Sequence, residues 1–155
     1  MHAAEGLLNQ ISQLVKEGLT PPITSLFTEN IEYFDTIYGH IQGKGALTEF
    51  FNSWWKDGRN YQWKFYDTLF QEDRGYASFT FSYTMLSQRL KDPQIIVPGT
   101  CYLEIKDNKI NKYRETINPG FGFAQMKARP KFVVRALNTM EKRDLPYLLM
   151  QVKQG

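Results

Sequence analysis

Apolar positions along the chain recur first at helical spacing and then at alternating spacing. Leu7, Leu8, Ile11, Leu14 and Val15 predict an amphipathic first helix, with Gly18 placed to end it. Thr20 before Pro21 and Pro22 predicts the N-cap and first turn of a short second helix, with Ile23, Leu26 and Phe27 inward. Residues 31–35 form a strand candidate, and Tyr38-Gly39-His40 reads as a bend. After Gly43-Lys44-Gly45, the residues Ala46, Leu47, Phe50, Phe51, Trp54 and Trp55 draw one apolar helical stripe that Gly58 closes. A helix this aromatic must pack against something broad, such as a sheet.

Period-two patterning then takes over. Tyr61, Trp63 and Phe65 alternate with Gln62 and Lys64 until a phase change near Asp67, which predicts a bulge. Phe79, Phe81, Tyr83 and Met85 share one face of the next strand, and Ser78, Thr80, Ser82 and Thr84 the other. Ile95, Val97, Cys101, Leu103 and Ile105 share a face across a third long strand, in which Pro98-Gly99 marks an edge or a bulge. Asp107-Asn108 suits a two-residue hairpin turn into a last strand, 110–118, that Pro119-Gly120 terminates. The order predicts an α+β fold: a curved antiparallel meander wrapped around the N-terminal helices, one end open as a pocket.

The stretch 121–155 is predicted to be a helical extension. Pro130 opens a helix carrying Phe132, Val133, Ala136, Leu137 and Met140, Asp144-Leu145-Pro146 breaks it, and Tyr147, Leu148, Leu149 and Val152 make a second piece. No repeat, low-complexity segment or linker divides the chain, so residues 1–155 are expected to be one domain with its core at about 5–120.

Composition narrows the partners. Hydrophobic content of 42% and charged content of 23% exclude disordered and collagen-like classes, while 15% aromatic residues call for a large core, a cavity or a partner surface. The net charge of +3 is spread along the chain without a basic stripe, so no nucleic-acid partner is expected. No apolar run approaches the roughly 20 residues of a membrane span, and the N-terminal residues lack a basic, then apolar, leader pattern; no membrane association and a cytoplasmic location are expected. Cys101 is expected to be a small buried hydrophobe. No His, Cys, Asp and Glu cluster has metal-ligand spacing, and no glycine-rich phosphate loop follows a strand, so neither metal nor cofactor is expected.

Two signatures carry a family resemblance. The first is Leu26-Phe27-Thr28-Glu29-Asn30-Ile31-Glu32-Tyr33-Phe34-Asp35, followed by Gly43-Lys44-Gly45-Ala46-Leu47; the second runs from Tyr102-Leu103-Glu104-Ile105 through Asp107-Asn108 to Tyr113-Arg114-Glu115-Thr116-Ile117-Asn118. With their spacing they resemble the nuclear transport factor 2-like superfamily, which includes ketosteroid isomerase-like, polyketide cyclase-like (SnoaL-like), limonene epoxide hydrolase and scytalone dehydratase proteins. The resemblance implies a cone-shaped α+β barrel, a pocket for a small apolar ligand and a homodimer formed through the outer sheet face, to which Phe79, Phe81, Tyr83 and Met85 or their counterparts on neighbouring strands are assigned.

The resemblance places Asp35 where the isomerases keep their general base, and His40 where it could pair with Asp35 as in the dehydratases. The isomerases' oxyanion donors do not carry over: Ile11 stands for the tyrosine and Thr100 for the protonated aspartate. Asn118 replaces an acid of the hydrolases and cyclases, retaining hydrogen bonding without a proton to give. Tyr33, Phe51, Trp54, Trp55, Tyr66, Tyr83, Tyr102 and Tyr113 are candidate pocket walls, with Thr100 and Asn118 as polar ones. Arg114 and Glu115 lie on opposite strand faces, and parity alone does not say which enters the pocket. Three readings stay open: a cofactor-independent isomerase or lyase with Asp35 as base, a pocket that binds without reacting, and a dimeric assembly module.

Overall fold

The structure is a computed structural model that describes residues 2–154, so the outermost two positions of the expected 1–155 domain lie outside it. Helix α1 (Ala3–Glu17) buries Leu7, Leu8, Ile11 and Val15 and ends at Gly18 in the left-handed conformation, as its stripe predicts. Helix α2 (Thr20–Thr24) leads into β1 (Phe27–Asp35). The expected bend at Tyr38-Gly39-His40 is tighter than foreseen: Gly39–Gln42 returns as a short strand, β2, antiparallel to β1. Gly39 takes φ +84°, a conformation that glycine adopts without the Cβ penalty.

Helix α3 (Lys44–Asp57) follows, with Leu47, Phe50 and Phe51 buried. The long strands are β3 (Gly58–Gln71), β4 (Arg74–Met85), β5 (Gln94–Lys106) and β6 (Lys109–Ile117). They form the predicted antiparallel meander, and the sheet order is β2-β1-β6-β5-β4-β3. The β3–β4 register shifts between Tyr66 and Leu69, and Asp67 there has φ +49°, so the phase change is a bulge. Asp107 and Asn108 both have positive φ, as a two-residue hairpin turn requires. The sheet departs from all-antiparallel at one seam, where β1 runs parallel to β6.

One core lies between the helices and the inner sheet face. Leu8, Ile11, Phe27, Phe51, Leu103 and Tyr113 belong to it, and each is at most 1% exposed. Cys101 is buried there too, and burial pushes its thiol up to about 12.

The C-terminal stretch differs from its prediction. Asn118 caps a short helix, α4 (Pro119–Gln125), and α5 (Pro130–Lys153) then runs unbroken through Pro146. Proline deprives the Lys142 carbonyl of its intrahelical donor, but Lys142 and Pro146 are both exposed, so water can replace it. Where β6 ends, α4 takes its place beside β5: the Gln125 amide accepts from Ile96 N at 2.8 Å and donates to Ile96 O at 2.7 Å.

Candidate functional site

The six-stranded sheet curves without closing, and a cavity of about 290 Å³ lies between its inner face, the end of α3, α4 and the start of α5. Its walls are mainly aromatic and aliphatic. Trp54 comes from α3, Tyr61 and Trp63 from β3, Phe81 and Tyr83 from β4, and Phe123 and Phe132 from the two C-terminal helices. The rings interlock: Tyr61 stacks on Tyr83 at 5.1 Å, and Phe123 meets the edge of Phe132 at 5.8 Å.

Two carboxyl groups enter this apolar setting. Asp35, the last residue of β1, is 8% exposed, and its Oδ1 accepts from the amides of Ile37 at 2.7 Å and Tyr38 at 2.8 Å. Glu115, on β6, is 7% exposed and accepts at Oε2 from the Tyr113 hydroxyl at 3.3 Å. Burial first, then the charge of Asp35 and a hydrogen bond to it, hold Glu115 well above the ordinary carboxylate range. The Thr36 amide and Tyr113 offset this only in part. Burial thus favours the protonated form of Glu115, which can donate a hydrogen bond to the neighbouring Asp35.

The strands dictate this meeting. The parallel register sets Tyr33 against Tyr113 and Phe34 against Arg114, so the next step aligns Asp35 with Glu115 on the inner face. Tyr33 and Tyr113 stack at 4.7 Å beneath the carboxyls, fully buried, and burial drives both phenols well above their usual range. Arg114 points to the outer face and lies over the Tyr102 ring at 5.6 Å. Thr36 ties the turn to β6, donating from Oγ1 to Glu115 O at 3.3 Å and accepting from Ile117 N at 3.1 Å.

Of the residues singled out from the sequence, Asp35, Trp54 and Tyr83 line the cavity. Tyr33, Phe51 and Tyr113 lie in the core below it. His40 is exposed on β2 with its ring 4.9 Å from Phe34, off the cavity wall. Trp55 donates to Thr20 Oγ1 at 2.8 Å, away from the cavity. Tyr66, bonded to Thr80 at 3.3 Å, lies on the opposite sheet face, as do Thr100 and Tyr102. Asn118 is spent on the α4 cap, accepting from Phe121 N at 3.4 Å. Phe79, Phe81 and Tyr83 turn inward to core and cavity, which removes them from the outer-face interface first assigned to them.

Sequence reasoning left Glu115 undecided and passed over Tyr38, Asp57 and Trp63. A signal for Glu115 existed: Tyr113 and Ile117 flank it at two-residue spacing, and an apolar i±2 frame marks the inner face. Among the described residues, no three His, Cys, Asp or Glu side chains converge as a metal-ligating group.

The SnoaL-like domain family matches residues 11–113. Solved structures share the fold at low identity. TsrD from Streptomyces laurentii superposes with a TM-score of 0.69 at 13% identity, covering 82% of this chain and 96% of that one. A protein of ketosteroid isomerase-like fold from Catenulispora acidiphila DSM 44928, in complex with trimethylamine, gives 0.70 at 12% identity, with coverage of 79% and 93%. The Δ5-3-ketosteroid isomerase of Mycobacterium sp. gives 0.66 at 14% identity, with coverage of 77% and 96%. No curated protein matches the chain in sequence.

Proposed function

The chain belongs to the SnoaL-like domain family, and from that premise we propose that its cavity binds a small, mainly apolar molecule bearing a carbonyl or hydroxyl oxygen and moves a proton on it. The observation that carries this reading is the meeting of the Asp35 and Glu115 carboxyls inside an aromatic cavity of about 290 Å³, with burial raising Glu115. Asp35, aimed by two amides, is the base for a C–H proton next to the substrate oxygen. Glu115 is the neutral acid, and the substrate oxygen takes the hydrogen bond that Glu115 otherwise gives Asp35. Negative charge then develops against a donor already in place, in a site poor in water.

Glu115 thereby fills the oxyanion role for which Ile11 and Thr100 are unfit. Ile11 is buried core without a donor, and Thr100 is on the far side of the sheet. Isomerisation, dehydration and cyclisation all need this acid–base pair, so the proposed class is a cofactor-independent isomerase or lyase of the cytoplasm. Screening enolisable ketones and β-hydroxy ketones for turnover tests it. Asp35→Asn is expected to lower kcat at least a hundredfold, and an unchanged rate overturns the assignment of Asp35.

The absence of the isomerases' own donors at Ile11 and Thr100 favours a second reading, in which the pocket holds its ligand unchanged. Native mass spectrometry separates the two: a co-purified molecule released without modification, with no turnover of related ketones, supports binding alone.

A homodimer is also proposed, with α5 in the interface. None of its 24 residues is fully buried, and nine of its apolar side chains are 40–77% exposed. Together they leave on the order of 800 Å² open, the area each partner gives to a standard interface. A second copy of the chain is the partner that suits an isologous contact of this kind.

A further inference from the structure

The C-terminal helix reaches the carboxyl pair without touching it. Arg143 donates from Nη2 to Thr36 O at 2.8 Å and from Nη1 to Ile37 O at 2.8 Å. Those oxygens belong to the two peptide groups whose other ends are the Ile37 and Tyr38 amides, the donors to Asp35 Oδ1. Each peptide group is thus held by a cation at its oxygen and by a carboxylate at its hydrogen. Delocalisation across the C–N bond couples the two ends, and a charge at the oxygen strengthens the N–H as a donor.

We infer that Arg143 is a positioning residue for Asp35, delivering its charge to the carboxylate through two peptide groups of turn 36–38. The inference rests on the reading of Asp35 as the working carboxylate. The guanidinium is fixed for this task. Asp144 grips Nε at 2.6 Å and Nη2 at 2.7 Å, and the Phe34 ring lies 5.5 Å below. Gly39 opens the passage, because a Cβ there would stand 2.8 Å from Arg143 Cδ and 3.0 Å from Nη1. A lysine at this position keeps a charge but cannot hold both carbonyls and Asp144 in one plane.

The same turn serves Glu115, whose carboxyl takes the Thr36 amide and whose main-chain oxygen takes the Thr36 hydroxyl. The titratable groups around Asp35 are Glu115 and Tyr113 from β6, Tyr33 from β1 and Tyr38 from the turn, with Asp57 elsewhere on the cavity wall. All of these are acidic or phenolic, and Arg143 brings the positive charge to the set. A helix that belongs to the C-terminal extension therefore completes the acid–base site formed by the sheet.

The test is carbon-13 and nitrogen-15 NMR on the full chain as wild type, Arg143→Gln and Arg143→Lys. In Arg143→Gln, the Ile37 and Tyr38 amide protons are expected to move upfield. The acid-side midpoint of the carboxyl pair's titration is expected to rise by roughly half a unit to one unit, with Arg143→Lys falling between. Where turnover is found, kcat drops about tenfold and KM holds. A folded Arg143→Gln with a lower Tm but unchanged amide shifts and pair titration overturns the inference, leaving Arg143 as a helix anchor. If the glutamine variant does not fold, an unchanged pair titration in Arg143→Lys overturns it equally. The NMR readout is independent of activity, so failure to find any substrate counts against the catalytic reading and not against this one.

Discussion

Asp35 and Glu115 follow directly on the paired Phe34 and Arg114 of the parallel strands β1 and β6, one pleat beyond the stacked Tyr33–Tyr113 pair. Parallel in-register strands place like positions side by side, so two aromatic rings are followed by two carboxyl groups on the same face. The lower pair is buried in the core, and the upper pair lines the cavity. The contrast between these two steps is what turns a structural seam into a candidate site.

Glu115 makes folding stability depend on pH with an unusual sign. Its native pKa lies above the unfolded value of 4.5, so in the window between them the folded chain binds more protons. Its contribution is complete below that value and is lost as pH rises toward the raised native one. Each unit of displacement is worth about 1.4 kcal/mol. Thermal unfolding of Glu115→Gln is expected to show a flatter Tm–pH profile than the wild type and a higher Tm at alkaline pH. A variant less stable at every pH contradicts this.

Filling the cavity blocks it without touching the carboxyls. Val97 is on the wall and 7% exposed. Val97→Phe adds bulk where there is empty space, so the expected change in stability is under about 1.5 kcal/mol. Ligand-induced Tm shifts, measured with any binder found for the wild type, are expected to vanish. Retained shifts mean that the ligand sits elsewhere.

How much of this was legible beforehand depends on what alternation encodes. The α3 stripe, the bulge at Asp67 and the hairpin at Asp107-Asn108 are local features, and local chemistry announces them. Alternation separates the faces of a strand but does not say which is inside. The apolar stripe of β4 was therefore assigned outward, and Glu115 was undecided. The parallel β1–β6 seam joins residues some 80 positions apart, which neither strand's own pattern can reveal. Pro146 announces a helix break only where the helix is buried; on an exposed helix, solvent makes good the lost hydrogen bond.

The dimer proposal puts the exposed apolar turns of α5 against a second copy. Leu148 is 54% exposed. Leu148→Glu adds a charge at the contact and is expected to shift the wild-type dimer to monomer by light scattering, with Tm changed by no more than a few degrees. A wild type that is monomeric at high concentration removes the proposal.

The central claim is a Glu115 carboxyl that burial beside Asp35 holds well above the ordinary range, and infrared spectroscopy reads it directly. As pH is raised, the wild type is expected to keep a protonated-carboxyl stretch, absent from Glu115→Gln, past the pH at which ordinary carboxyls have ionised. A wild-type spectrum containing only ionised carboxylates at that pH contradicts the account.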